Sequence, residues 1–165
     1  MDNDISLLKL AKPIAFPSNN KIAPVCLPTL GETYDKVMAT VTGWGHLTFN
    51  GTQPEVLHEV TVPTMTYKEC LTETAYATTD WAADYLNENM ICAGEAAGGK
   101  DACENDSGGP LVTPGSSGSM EQIGIVSWGY RCAEPNYPGV YTRVGNYLSW
   151  IASETSGASA CPPTS

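Results

Sequence analysis

The sequence predicts an all-β barrel or sandwich followed by one C-terminal helix, and three observations carry that reading. Its apolar residues fall in short runs of strand length rather than long helical stripes. Sixteen Gly and twelve Pro, with Asn and Ser clusters, punctuate those runs. Near the end, Val144, Tyr147, Trp150 and Ile151 recur at i, i+3, i+6 and i+7, which sets them on one helical face. A 165-residue chain with 42% hydrophobic and 16% charged residues has enough apolar side chain for a packed core, which excludes general disorder. The length suits a single domain, or half of a larger bipartite fold.

Taken in order, residues 5–10 (Ile-Ser-Leu-Leu-Lys-Leu) read as a strand. Residues 12–28 carry Pro13, Pro17, Pro24 and Pro28 and read as an extended connector. Strands are expected at 37–42, 56–62, 90–93, 110–113, 122–128 and 139–144, with a helical turn near 66–71. The stretch from Ser153 to Ser165 is small, polar and proline-containing, and is expected to be a mobile tail. There is no internal repeat.

Charge narrows the function classes. Eight Lys and Arg against 18 Asp and Glu give a net charge of −10, the opposite of a nucleic-acid footprint. No run approaches the roughly 18 apolar residues of a membrane span. Six cysteines (Cys26, Cys70, Cys92, Cys103, Cys132, Cys161) and an Asn50-Gly51-Thr52 sequon favour an oxidising, extracellular setting. Yet Met1-Asp2-Asn3-Asp4 is acidic and unlike a secretory signal. The expectation from that conflict is that the chain is the later portion of a secreted protein, starting from an internal Met.

The stretch Asn105-Asp106-Ser107-Gly108-Gly109-Pro110-Leu111 carries the chemistry. A serine hydroxyl becomes a nucleophile when a base takes its proton and nearby donors hold the oxyanion. Following glycines let the backbone turn tightly and leave room for a carbonyl. Taken alone the stretch reads as a loop, and Asn105-Asp106-Ser107 is formally also a sequon. Its neighbours change that. Asp-Ile-Ser-Leu-Leu-Lys-Leu from Asp4, Thr-Gly-Trp-Gly from Thr42, Asp-Ser-Gly-Gly-Pro-Leu from Asp106, Val-Ser-Trp-Gly from Val126 and Pro-Gly-Val-Tyr-Thr-Arg-Val from Pro138 occur in that order.

The ordered set resembles the trypsin-like (chymotrypsin-fold) serine proteases, from Asp4 to about Ala152. The resemblance implies a Greek-key antiparallel β-barrel, the second of a double barrel, with a C-terminal helix. It divides the chain into the last strand of an otherwise missing first barrel (1–12), an inter-barrel linker (13–35), the second barrel with its helix (36–152) and the tail (153–165). It implies that Ser107 is the nucleophile and Asp4 the carboxylate that orients a catalytic histidine. Asn105 and Ser107 would supply the oxyanion hole, and Asp106 would receive the N-terminal ammonium of an activated enzyme. Asp101 would form the base of a pocket for Arg or Lys, where a carboxylate pairs with a guanidinium. Ser127, Trp128 and Gly129 would pair with substrate backbone.

The same resemblance implies bridges Cys103–Cys132 and Cys70–Cys92, and it finds Ala39 and Thr113 where the family often has another. Cys26 is left with Cys161, with another molecule, or with nothing. The implied partners are a protein or peptide substrate, the missing N-terminal barrel and protein protease inhibitors; no metal or cofactor is expected. Four departures stand out. No histidine precedes Asp4, and His46 and His58 fall at variable, exposed family positions. Asn105 replaces a glycine. Arg131 replaces a small residue at the pocket entrance, where it would oppose a basic substrate or pair with Asp101. Glu104 and the 21 residues between Cys70 and Cys92 would reshape the cleft. As written, the chain is expected to lack its base and not to cleave peptides. The other readings are a truncated, non-catalytic homologue that binds basic segments, and a defective product without function.

Overall fold

Alternation decides which side chains of each strand face inward. In the computed structural model, which describes residues 1–17, 21–79, 82–115 and 118–155, the strands are β1 (Met38–Gly43), β2 (His58–Met65), β3 (Met90–Ala93), β4 (Pro110–Pro114), β5 (Met120–Trp128) and β6 (Gly139–Arg143). β1 buries Ala39 and Val41 and turns Met38 outward. It runs antiparallel to β2 with Ala39 opposite Val62 and Val41 opposite Val60. The order continues β2–β3–β6–β5–β4, and β4 returns to β1 through Thr40 and Val41, closing a six-stranded antiparallel barrel. Three consecutive strands with the fourth beside the first make a Greek key.

Ala39, Val41, Val62, Ile91, Ala93, Leu111, Ile123, Val126 and Tyr141 fill the barrel interior. β3 is buried along its whole length because its outer face is also covered. The cover is the segment between β2 and β3. It comprises α1 (Tyr67–Thr72), a 3₁₀ turn (Ala75–Thr78) and α2 (Ala82–Tyr85). α1 starts where it does because Thr66 and Glu69 form a capping box: the Glu69 N–H donates to Thr66 Oγ1 at 3.1 Å and the Thr66 N–H donates to Glu69 Oε2 at 3.0 Å. Cys70, Tyr76, Ala82 and Leu86 then pack on Met90, Cys92 and Val140, and the Cys70–Cys92 disulfide fastens the cover to β3.

One expectation is corrected and three gain detail. Residues 5–10 form no strand: Ile5 binds only back to Asn3 O, no ladder joins the segment to the barrel, and Leu8 is 89% exposed. A strand needs a partner edge, and apolar content does not supply one. The connector is extended as expected, and its end is anchored to the barrel. Cys26 forms an isolated backbone β-bridge with Glu121, and the buried Glu121 carboxylate accepts hydrogen bonds from Thr29 Oγ1 and the Tyr34 hydroxyl. The expected C-terminal helix is present as α3 (Leu148–Glu154), entered through a 3₁₀ turn (Val144–Tyr147) where Gly145 and Asn146 are weak helix formers. Together they bury Val144 and Ile151 but leave Trp150 at 37% exposure. Of the expected tail, Ser153 and Glu154 are helical, and residues 156–165 lie outside the described residues.

Candidate active site

Ser107 lies in the turn that feeds β4. The Asp106 N–H donates to Cys103 O at 3.0 Å, the Gly109 N–H to Asp106 O at 2.8 Å and the Gly108 N–H to Val126 O at 2.8 Å. Those bonds and the Cys103–Cys132 disulfide fix the turn against the end of β5. Ser107 is exposed and lines a cavity of about 170 Å³ together with Asp101, Ser127, Trp128, Gly129 and Arg131.

Asp101 is largely buried at that cavity. Its Oδ2 accepts from the Ala133 N–H at 3.0 Å, while Oδ1 is buried without a hydrogen-bond partner. The Tyr141 hydroxyl beside it is likewise buried and unpartnered. Burial raises the Asp101 carboxyl to about 6, against the opposing pull of the Ala133 and Ala102 N–H groups. A Cβ at Gly139 would stand 2.6 Å from Asp101 Oδ1, so only glycine leaves this space open. An unsatisfied carboxylate oxygen in a narrow cavity is matched to a cationic donor.

The β5–β6 register shifts between Val126 and Trp128, so Ser127 falls in a bulge without a ladder partner. Bulges re-aim side chains, and this one sends Ser127 Oγ to Asp4 Oδ2 at 2.6 Å. Thr142 Oγ1 donates to Asp4 O at 2.7 Å, and the Tyr147 hydroxyl to Asn3 Oδ1 at 3.0 Å. Asp4 is thereby held to the residue that also lines the Ser107 cavity.

Asp106 points the other way. Its Oδ1 accepts from the Gly45 N–H at 2.8 Å and its Oδ2 from the Cys103 N–H at 3.0 Å. A Cβ at Gly43 or Gly45 would collide with this carboxylate at 1.9 or 2.3 Å, which is the physical reason for glycine on either side of Trp44. A second cavity of about 430 Å³ adjoins Asp106 and is lined by both His46 and His58. Neither histidine lines the Ser107 cavity. Asn105 has a positive φ of 73° and bonds to His46. Arg131 does not pair with Asp101: its guanidinium reaches Glu134 at 3.3 Å and lies over the rings of Phe49 and Tyr130.

Sequence reasoning missed Tyr76. Its ring is fully buried, 5.5 Å from Trp128 and 5.3 Å from Tyr137 between centroids. Its hydroxyl donates to Pro138 O at 2.9 Å and accepts from the Tyr130 N–H at 3.2 Å. It braces the cavity wall from behind. No periodic signal marks it, because it lies on a single 3₁₀ turn. Among the described residues, no cluster of three His, Cys, Asp or Glu is placed to hold a metal, and no helix is long and apolar enough to cross a membrane.

The six-stranded Greek-key barrel thus brings an exposed serine turn beside a cavity that is also lined by a largely buried carboxylate. Comparison with known proteins makes this specific. The family model described as Trypsin matches residues 1–151. Trypsin-1 of Astacus astacus is 48% identical over 151 residues, 92% of this chain and 59% of that protein. Trypsin of Phaedon cochleariae is 44% identical over 94% of this chain and 55% of its own length. Anionic trypsin of Canis lupus familiaris is 42% identical, with 93% and 56% covered. The chain belongs to the trypsin-like serine protease family. It spans between a half and three-fifths of the length of these relatives.

Proposed function

We propose that residues 1–165 are the second-barrel portion of an extracellular trypsin-like endopeptidase that cuts after Arg or Lys. In this reading Ser107 Oγ attacks the scissile carbonyl, and a histidine encoded before residue 1 takes its proton and returns it to the leaving amine. Asp4 orients that histidine. The backbone N–H groups of Asn105 and Ser107 receive the oxyanion. The substrate's cationic side chain meets Asp101, and its backbone lies along Ser127, Trp128 and Gly129. Asp106, beside the 430 Å³ cavity, receives the ammonium freed by activation cleavage. Residues 1–12 belong to a first barrel and 13–35 to the linker. Protein substrates and protein inhibitors are the partners.

The observation that carries the reading is the Ser127–Asp4 hydrogen bond beside one cavity lined by Ser107, Ser127 and Asp101, which brings three of the assigned residues together with Ser107. Neither histidine of residues 1–165 lines the Ser107 cavity, so in this reading they do not turn over peptide bonds alone. The test is an arginyl ester assay on residues 1–165 and on the protein with the segment that precedes them in its reading frame. Turnover is expected only in the second, and it disappears with Ser107→Ala. Turnover that survives Ser107→Ala contradicts the assignment. The unsatisfied Asp101 Oδ1 also supports a second reading, a non-catalytic homologue that binds basic segments. A stop codon directly before Met1 would favour it.

A further inference from the structure

Glu104, Asn105 and Arg131, three of the departures from the family pattern, all touch one loop, residues 46–52. The His46 N–H donates to Glu104 O at 2.8 Å. Glu104 Oε2 accepts from the Asn50 N–H at 2.8 Å and meets His46 Nδ1 at 2.9 Å. Asn105 Nδ2 lies 3.0 Å from His46 Nε2. Arg131 lies 5.7 Å from the centre of the Phe49 ring. A carboxylate accepts only, so Glu104 fixes the proton of neutral His46 on Nδ1 and leaves Nε2 to accept from the Asn105 amide.

An asparagine here faces two problems that a glycine does not. Its φ of 73° is a left-handed conformation that Asn tolerates but does not prefer. Its side chain also needs a place other than the space beside Ser107. We infer that His46 is a positioning residue: oriented by Glu104, it ties the Asn105 side chain to loop 46–52 and so holds Asn105 left-handed, with its side chain turned from the nucleophile. A lone exposed contact of this kind is weak, but here one backbone bond, two contacts of one carboxylate and one amide contact converge on two adjacent residues. The role of this tether in catalysis rests on the reading of Ser107 as nucleophile and of the Asn105 N–H as an oxyanion donor.

Two measurements test it separately from that reading. In the protein with its preceding segment, His46→Ala is expected to lower kcat roughly ten- to a hundredfold with KM nearly unchanged, less than the loss of a whole oxyanion donor. His46→Gln, which keeps an acceptor for the amide, recovers some of the loss. In an Asn105→Gly background the same His46→Ala change costs less than about threefold, because the side chain it controls is gone. Equal losses in both backgrounds overturn the inference. Absence of any turnover in the unsubstituted protein is instead a failure of the nucleophile reading. The second measurement then decides the tether alone, by ¹⁵N NMR of the same protein at a pH where the imidazole signals show a neutral ring. His46 is expected with its proton on Nδ1, and His46→Ala is expected to move the Asn105 side-chain amide signals. A proton on Nε2, or unmoved Asn105 signals, overturns the inference whatever the kinetics show.

Discussion

The barrel and the N-terminal arm (residues 1–30) are both rich in aliphatic residues, yet Leu111 and Ile123 are sealed in the barrel while Leu8 and Leu30 stand 89% and 79% exposed. Arm residues Leu7, Leu10, Ile14, Phe16 and Ile22 are exposed as well. The difference lies in pairing. Every barrel strand has two hydrogen-bonded neighbours and an inward face, whereas residues 5–10 have neither. Apolar sequence becomes a strand only where another edge satisfies its backbone. Asp2, Asn3 and Asp4 at its start and Cys26 and Thr29 toward its end are the exceptions within the arm, because their polar groups find Asn89, Tyr147, Ser127, Thr142 and β5 on the barrel.

Substitutions sharpen this contrast, beginning with the largest effect. Leu111→Ala should cost about 2–5 kcal/mol in thermal or denaturant unfolding of the described barrel, since it opens a cavity in a closed interior. A cost below about 1 kcal/mol would mean that the barrel is not the stable unit. Replacing both Cys70 and Cys92 by Ser should cost about 3 kcal/mol, because the bridge closes a loop of sequence separation 22. An unchanged melting temperature would show that the outer cover holds without it.

Asp101 gives a pH-dependent comparison. Its carboxyl is raised to about 6 in the fold, so the native chain binds more protons than the unfolded chain between about pH 4 and pH 6. Stability therefore falls as pH rises through that window, and the full cost is present above it. Asp101→Asn should stabilise by on the order of 2–3 kcal/mol at pH 7 and by nothing near pH 3. A stabilisation of equal size at both pH values would show that the effect is not ionisation. A small amidinium ligand should bind more tightly as pH rises from 5 to 7, and this gain should vanish in Asp101→Asn.

In the arm, Leu8→Ser should change unfolding stability by no more than about 0.5 kcal/mol while reducing aggregation of residues 1–165. The unsubstituted chain is expected to be poorly soluble because of this exposed apolar surface. A large stability loss from Leu8→Ser would contradict the view that the arm is unpartnered.

The barrel was legible because period-two runs such as 37–42 and 122–128 sit between Gly and Pro breaks, and pairing moved their ends by only one or two residues. The helical turn near 66–71 was read from the sequence, but its capping box of Thr66 and Glu69 emerged only from the structure. The strand expected at 5–10 finds no partner among the described residues, because periodicity reports side chains and says nothing of a backbone partner. Ser107, Asp101 and Asp106 could be named from ordered motifs, but their surroundings could not. The bulge that sends Ser127 to Asp4, the escape of Arg131 to Glu134, and the bracing by Tyr76 all depend on contacts across 3 to 123 positions.

Ser107 is read as a nucleophile whose proton acceptor is encoded elsewhere, and fluorophosphonate labelling tests that most directly. Residues 1–165 should remain unlabelled, and the protein with its preceding segment should label at Ser107 and lose the label in Ser107→Ala. Robust labelling of Ser107 in residues 1–165 alone would contradict it.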